Sequence, residues 1–128
     1  MSLEIIRTEK APAAIGPYSQ AIRAGSWLFV SGQIPLNPET GQMVGEDFGA
    51  QARQVLENLK NVLLAGGCEL KDVVAVDVFL IDIGQFAVFN SIYEQAFSTH
   101  KPARAVVEVK GLPRGAQVEI KCTAYRDK

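Results

Sequence analysis

Arg104 and Glu119 are the side chains that face-sorting of the sequence singles out for chemistry. A guanidinium grips a carboxylate through two parallel hydrogen bonds, and a partly desolvated carboxylate takes up and returns protons. Other reactive types are scarce: His100 is the one histidine, and Cys68 and Cys122 are the only cysteines. A Ser-His-Asp arrangement would have to use His100, and a His/Cys zinc site lacks ligands unless carboxylates complete it. The cysteines are far apart and form no CxxC, so two free thiols in a cytosolic protein are expected in preference to a disulfide. Cys122 falls in a strand-like run and reads as core, whereas Cys68 follows Gly66-Gly67 at a helix end.

The elements that must position Arg104 and Glu119 are set by periodicity and turn chemistry. Ser19–Ala24 and Trp27–Ser31 read as a hairpin joined by Gly25-Ser26, with glycine first as a type II′ turn prefers. Asn37-Pro38-Glu39-Thr40-Gly41 reads as a turn. A helix is predicted from an Asp47 N-cap, with Phe48, Ala52, Val55, Leu56, Leu59 and Leu63 as its apolar stripe and Gly66-Gly67 as its stop. Val73–Ile81 is a strand apolar at both parities. A second helix begins at Asp82, with Gln85 placed for a capping box and Phe86, Phe89, Tyr93, Ala96 and Phe97 as its stripe. His100 is placed to cap its far end. Strands at Arg104–Val109 and Gln117–Tyr125 follow, giving the order β-β-α-β-α-β-β. The fold class is α+β, a mixed sheet with both helices on one face.

Alternation along the last two strands sorts their side chains. Val118, Ile120, Cys122 and Ala124 share one face of one strand; Ala105, Val107 and Val109 share one face of the other. These apolar sets are predicted to meet the helices, which places Arg104 and Glu119 together on the helix-free face. The Val73–Ile81 strand is apolar on that face too, and the chain has no spare element to cover it. Another subunit is the expected cover, with Arg104 and Glu119 beside an intersubunit groove. The same pattern also fits a solvated sheet face carrying an ordinary surface Arg and Glu.

Length and charge bound the rest. A chain of 128 residues is expected to be a single domain, 1–128. Thirteen Lys+Arg against 14 Asp+Glu leave a net charge of −1, which argues against a surface built for nucleic acid or anionic lipid. No signal peptide or membrane-length apolar run is visible, so a cytoplasmic location and no membrane partner are expected. The 48% hydrophobic content leaves room for a buried partner surface.

Several strings then carry a family resemblance. Gly16-Pro17-Tyr18-Ser19-Gln20-Ala21, Phe29-Val30-Ser31-Gly32-Gln33-Ile34-Pro35, and Pro102-Ala103-Arg104 with Val107-Glu108-Val109 and Leu112-Pro113 resemble signature segments of the Rid, or YjgF, family. Gln54–Lys60, Val78–Leu80, Phe89-Asn90 and Val118-Glu119-Ile120 agree with it, so the resemblance covers nearly the whole chain and is nearest to the archetypal RidA branch. It implies a chorismate-mutase-like fold and a homotrimer with its sites in the subunit clefts. It also implies hydrolysis of reactive 2-enamine and 2-imine acids, such as 2-aminoacrylate, to 2-ketoacids and ammonia. Those intermediates come from pyridoxal-phosphate-dependent serine and threonine dehydratases; the deaminase itself would need no metal or cofactor.

The resemblance assigns Arg104 to the substrate carboxylate and makes Glu119 the residue that orients or activates water. Tyr18, Ser31, Gly32, Asn90, Val106 and Pro113 become substrate-binding candidates. Each has an ordinary structural alternative: an ion pair for Arg104, a surface or pairing role for Glu119, core packing for Tyr18, a helix-packing amide for Asn90. Many relatives carry cysteine where this chain has Val106, which removes any thiol-dependent step there but leaves a backbone contact intact. Two other readings stay open at this stage: a non-catalytic trimer that binds 2-ketoacids, and an endoribonuclease or translation inhibitor, which the balanced charge disfavours.

Overall fold

The computed structural model describes residues 2–127. Strands β1 (Leu3–Ile6), β2 (Ala21–Ala24) and β3 (Trp27–Gln33) form an antiparallel meander. Gly25 takes φ 63 while Ser26 stays out of the left-handed region, as a type II′ turn requires. Strand β1 was not predicted, because four residues are too short a run to show alternation. The observed order is therefore β-β-β-α-β-α-β-β.

Helix α1 (Phe48–Ala65) starts where expected: Asp47 accepts a 2.8 Å hydrogen bond from the Ala50 N–H. It ends in a Schellman motif, with Cys68 N–H donating to Leu63 O and Gly67 N–H to Leu64 O while Gly67 holds φ 83. Strand β4 (Val73–Leu80) follows, and then helix α2 (Phe86–Ala96). Asp82 caps a single 3₁₀ turn, accepting from the Gly84 N–H at 2.8 Å, so α2 proper begins later than its predicted capping box. At the other end of α2 Lys101 caps the helix, donating to Phe97 O and Ser98 O. His100 instead bonds through Nε2 to Val73 O at 2.6 Å, which corrects its expected capping role.

Strands β5 (Ala103–Glu108) and β6 (Val118–Tyr125) complete a sheet of order β1-β2-β3-β6-β4-β5. Strand β6 is central and antiparallel to β3 and β4, whereas β5 is an edge strand parallel to β4. Its predicted apolar face, Val118, Ile120, Cys122 and Ala124, is buried beneath the helices. Both thiols are free and buried, and burial pushes Cys122 up to about 12. Arg23 is buried too, and ties Gly66 O, Cys68 Sγ and Arg126 O together.

For β5 the predicted faces are reversed. Arg104, Val106 and Glu108 lie in register with Val76, Val78 and Leu80, the buried residues of β4. They therefore point to the helix side, where Glu108 accepts from the Ile83 N–H and Val106 packs against the core. The reason is local: at this edge α2 offers Asn90 and the aromatic faces of Phe86 and Tyr93, which suit a guanidinium. Val107, expected against the helices, is 46% exposed on the other face. Leu3, Ile5, Trp27, Phe29 and Tyr125 are also exposed there, so one chain leaves an apolar sheet face without cover.

Candidate active site

The site is centred where β3 breaks register with β6. Val30 pairs with Cys122 and Gln33 with Ile120, so Ser31 and Gly32 together oppose Lys121 in a β-bulge. The bulge brings Gly32 against the Glu119 carboxylate. A Cβ built on Gly32 would overlap Glu119 Oε2 and stand 2.9 Å from Cδ, so only glycine fits without moving that carboxylate. Glu119 is half-buried, and desolvation raises its pKa above the ordinary carboxylate range. Gly32→Ala is expected to displace the carboxylate and lower kcat at least tenfold while the fold persists; retention of wild-type kcat would show that its placement does not matter.

Around Glu119 lies a cleft of about 610 Å³ lined by Tyr18, Ser31, Gly32, Pro113 and Arg114, among others. Ser31 Oγ donates to Ser19 O at 2.5 Å, which leaves its lone pairs, not its proton, for a ligand. Tyr18 is 53% exposed at the end of a tight Gly16-Pro17-Tyr18 turn closed by a 2.9 Å bond from its N–H to Gly16 O. Pro113 O takes the Ala116 N–H at 3.1 Å and retains one lone pair for a ligand.

Arg114 was not foreseen. It is the one non-glycine residue with positive φ among the described residues (φ 59, ψ 22), and it donates to Gly41 O at 3.1 Å. No composition or periodicity signal marks such a position. Left-handed backbone costs a side-chain-bearing residue roughly 1–2 kcal/mol, part of which glycine's looser unfolded chain would offset. Arg114→Gly is thus expected to stabilise the protein by up to about 1 kcal/mol in denaturant unfolding. A lower midpoint would mean that the Gly41 contact outweighs the strain.

Arg104 lies elsewhere. Its guanidinium donates to Asn90 Oδ1 at 2.8 Å and sits 4.8 Å from the Tyr93 ring centroid and 5.8 Å from that of Phe86. It lines a second hollow with Asn90, Glu94, Lys101 and Pro102. The expectation that Arg104 and Glu119 share a sheet face is therefore corrected: they occupy opposite faces and separate hollows of one chain. Tyr18, Ser31, Gly32 and Pro113 gather with Glu119; Asn90 gathers with Arg104, and Val106 lies on that same side of β5.

An α+β domain with a desolvated carboxylate in a cleft at a sheet bulge belongs to a class suited to chemistry on small molecules. Known proteins narrow that class. The Endoribonuclease L-PSP family matches residues 8–126. The chain is 51% identical over 124 residues to a RutC family protein of Pyrococcus horikoshii, covering 97% of this chain and 98% of the other. It is 48% identical over 124 residues to the 2-iminobutanoate/2-iminopropanoate deaminase of Salmonella typhimurium, covering 94% and 96%. The crystal structure of a Rid family protein from Yersinia pestis superposes with a TM-score of 0.95 at 44% identity, covering 98% of this chain and 100% of that one. The chain belongs to the Rid (YjgF, or endoribonuclease L-PSP) family and has its chorismate-mutase-like fold. Among the described residues no helix is long and apolar enough to cross a membrane.

Proposed function

We propose that this protein hydrolyses reactive 2-enamine and 2-imine acids, such as 2-aminoacrylate and 2-aminocrotonate, to 2-ketoacids and ammonia. The working unit is a cytoplasmic homotrimer whose sites form between neighbouring copies. One observation carries this reading: within one chain, the desolvated Glu119 and the Arg104 guanidinium occupy separate half-sites on opposite faces of the sheet. A small imino acid needs both an anion clamp and a proton carrier, so Arg104 comes from the neighbour. The exposed apolar face that carries Trp27, Phe29 and Val107 is the surface a neighbour would cover.

The chemistry uses these groups in order. The enamine takes a proton from solvent at C3 and gives an N–H proton back to it, becoming the imine, which is held through its carboxylate by the neighbour's Arg104, oriented by Asn90. A water oxygen bonds to C2 while Glu119 takes its proton and passes it to nitrogen, as the C=N π pair moves onto that nitrogen. Glu119 then takes the hydroxyl proton as C=O forms. The C–N bond breaks with its electrons on nitrogen, which receives that proton and leaves as ammonia. The Ser31 lone pairs suit the N–H of the imine, and Tyr18 covers the bound molecule. The route as written calls for no metal or cofactor. Pyridoxal-phosphate-dependent serine and threonine dehydratases are the proposed source of substrate. The test couples such a dehydratase to this protein and follows ketoacid appearance optically. Acceleration over spontaneous hydrolysis is expected; an unchanged rate would sink the reading.

A further inference from the structure

We infer that Tyr93, with Phe86 beside it, is a positioning residue for the carboxylate clamp: the two rings are a neutral platform that fixes the plane of the Arg104 guanidinium without consuming its charge. On the deaminase reading, on which this inference rests, Arg104 grips the substrate; Tyr93 adds to that site a residue that the periodicity of α2 marks only as core. Tyr93 is 7% exposed, with its ring centroid 5.6 Å from that of Phe89 and 4.7 Å from that of Phe97, the latter pair stacked at 27°. Its hydroxyl is buried without a hydrogen-bond partner, so ring packing and not a polar contact holds it in place. Burial pushes this phenol up to about 12, with the Arg104 charge opposing in part, so the ring stays uncharged at neutral pH.

Arg104 stands over the Tyr93 ring at 4.8 Å and over that of Phe86 at 5.8 Å, both within cation–π range. Its hydrogen bond to Asn90 Oδ1 goes to an uncharged amide. Among the described residues no carboxylate lies within ion-pair distance of Arg104, although Glu94 lines the same hollow. A carboxylate partner would hold the side chain as firmly, but it would cancel the charge and occupy the fork that a substrate needs. An aromatic face holds the plane and leaves the edge of the fork open. An arginine already held in this way loses less side-chain freedom on binding, so more of the bidentate contact is retained as affinity. The platform needs the ring of Tyr93 and not its orphaned hydroxyl.

The experiment compares wild type with Tyr93→Leu, Tyr93→Phe and Phe86→Leu, and repeats Tyr93→Leu in an Arg104→Ala background. KM and kcat are measured on an imine generated in situ by an amino-acid oxidase, and affinity for 2-ketobutanoate by calorimetry. Tyr93→Leu should raise KM and weaken ketoacid binding roughly 5- to 30-fold, the worth of a partly desolvated cation–π contact, with a far smaller change in kcat. Tyr93→Phe, which keeps the ring, should restore most of that loss. Phe86→Leu, outside the core, should cost about two- to fivefold in the same direction. Once Arg104→Ala is present, Tyr93→Leu should lower kcat/KM little further, because the group it positions is gone; a merely structural role would add its full cost. If imines are hydrolysed but the two losses multiply, Tyr93→Phe restores nothing, or Phe86→Leu leaves KM unchanged, the platform is refuted and the deaminase reading stands. If no imine is hydrolysed yet ketoacid affinity follows this pattern, the platform stands and the deaminase reading falls.

Discussion

Glu119→Gln is expected to lower kcat roughly 10²–10⁴-fold, the range a positioned general base commonly contributes. Glutamine keeps the shape that fits against Gly32 but cannot take the water proton, so ligand affinity should change far less than turnover. Wild-type activity should fall on the acid side as Glu119 protonates, with a midpoint above the ordinary carboxylate range because burial raises its pKa. The same shift has a stability sign. A carboxylate whose folded pKa lies above its unfolded value favours folding most below the unfolded pKa, and that contribution is lost as pH rises through the folded pKa. Glu119→Gln should therefore melt above the wild type at neutral pH, and the gap should close in acid. A variant that loses affinity and turnover equally, or that melts lower at neutral pH, would contradict this account of Glu119.

Arg104→Ala should cost about 2–5 kcal/mol of transition-state binding, the usual loss when one partner of a desolvated charged pair is truncated. That corresponds to roughly 30-fold to several-thousand-fold in kcat/KM, with much of it in KM. Lysine should rescue little, since one ammonium cannot reproduce the bidentate grip. Arg104 is exposed at the sheet edge, and its ring contacts with Tyr93 and Phe86 contribute about 1 kcal/mol at most exposed sites. Unfolding would thus not account for the loss, and circular dichroism at assay temperature would verify that. Unchanged kcat/KM would remove Arg104 from substrate binding and leave it a helix-packing cation over Tyr93.

Much of the scaffold was legible because local chemistry decides it. Asp47, Gly66-Gly67 and Gly25-Ser26 each have one good structural use, and each has it here. The residues around Glu119 were legible for a different reason: Tyr18, Ser31, Gly32 and Pro113 stand in strings that resemble a family. The faces of β5 were not legible. Alternation says which side chains share a face but not which face a helix covers, and α2 met the polar set with Asn90 and aromatic rings. Arg114 escaped notice because positive φ at a residue other than glycine leaves no mark in composition. Gln20 and Asn58 stand in strings of the same kind, yet these buried amides bond to Pro12 O and to Ile34 O and Leu36 O, loop carbonyls that only the folded chain brings near.

The central claim is that Arg104 and Glu119 act on one substrate from two copies of the chain. Arg104→Ala and Glu119→Gln, differently tagged, are co-expressed, and the mixed oligomers are isolated through both tags and assayed. Each variant alone is expected to be nearly inactive. Whichever variant a mixed trimer holds twice, one of its three sites joins an intact Arg104 from one copy to an intact Glu119 from its neighbour, so about a third of wild-type activity should return. Mixed oligomers no more active than either parent would show that the two residues never meet across an interface.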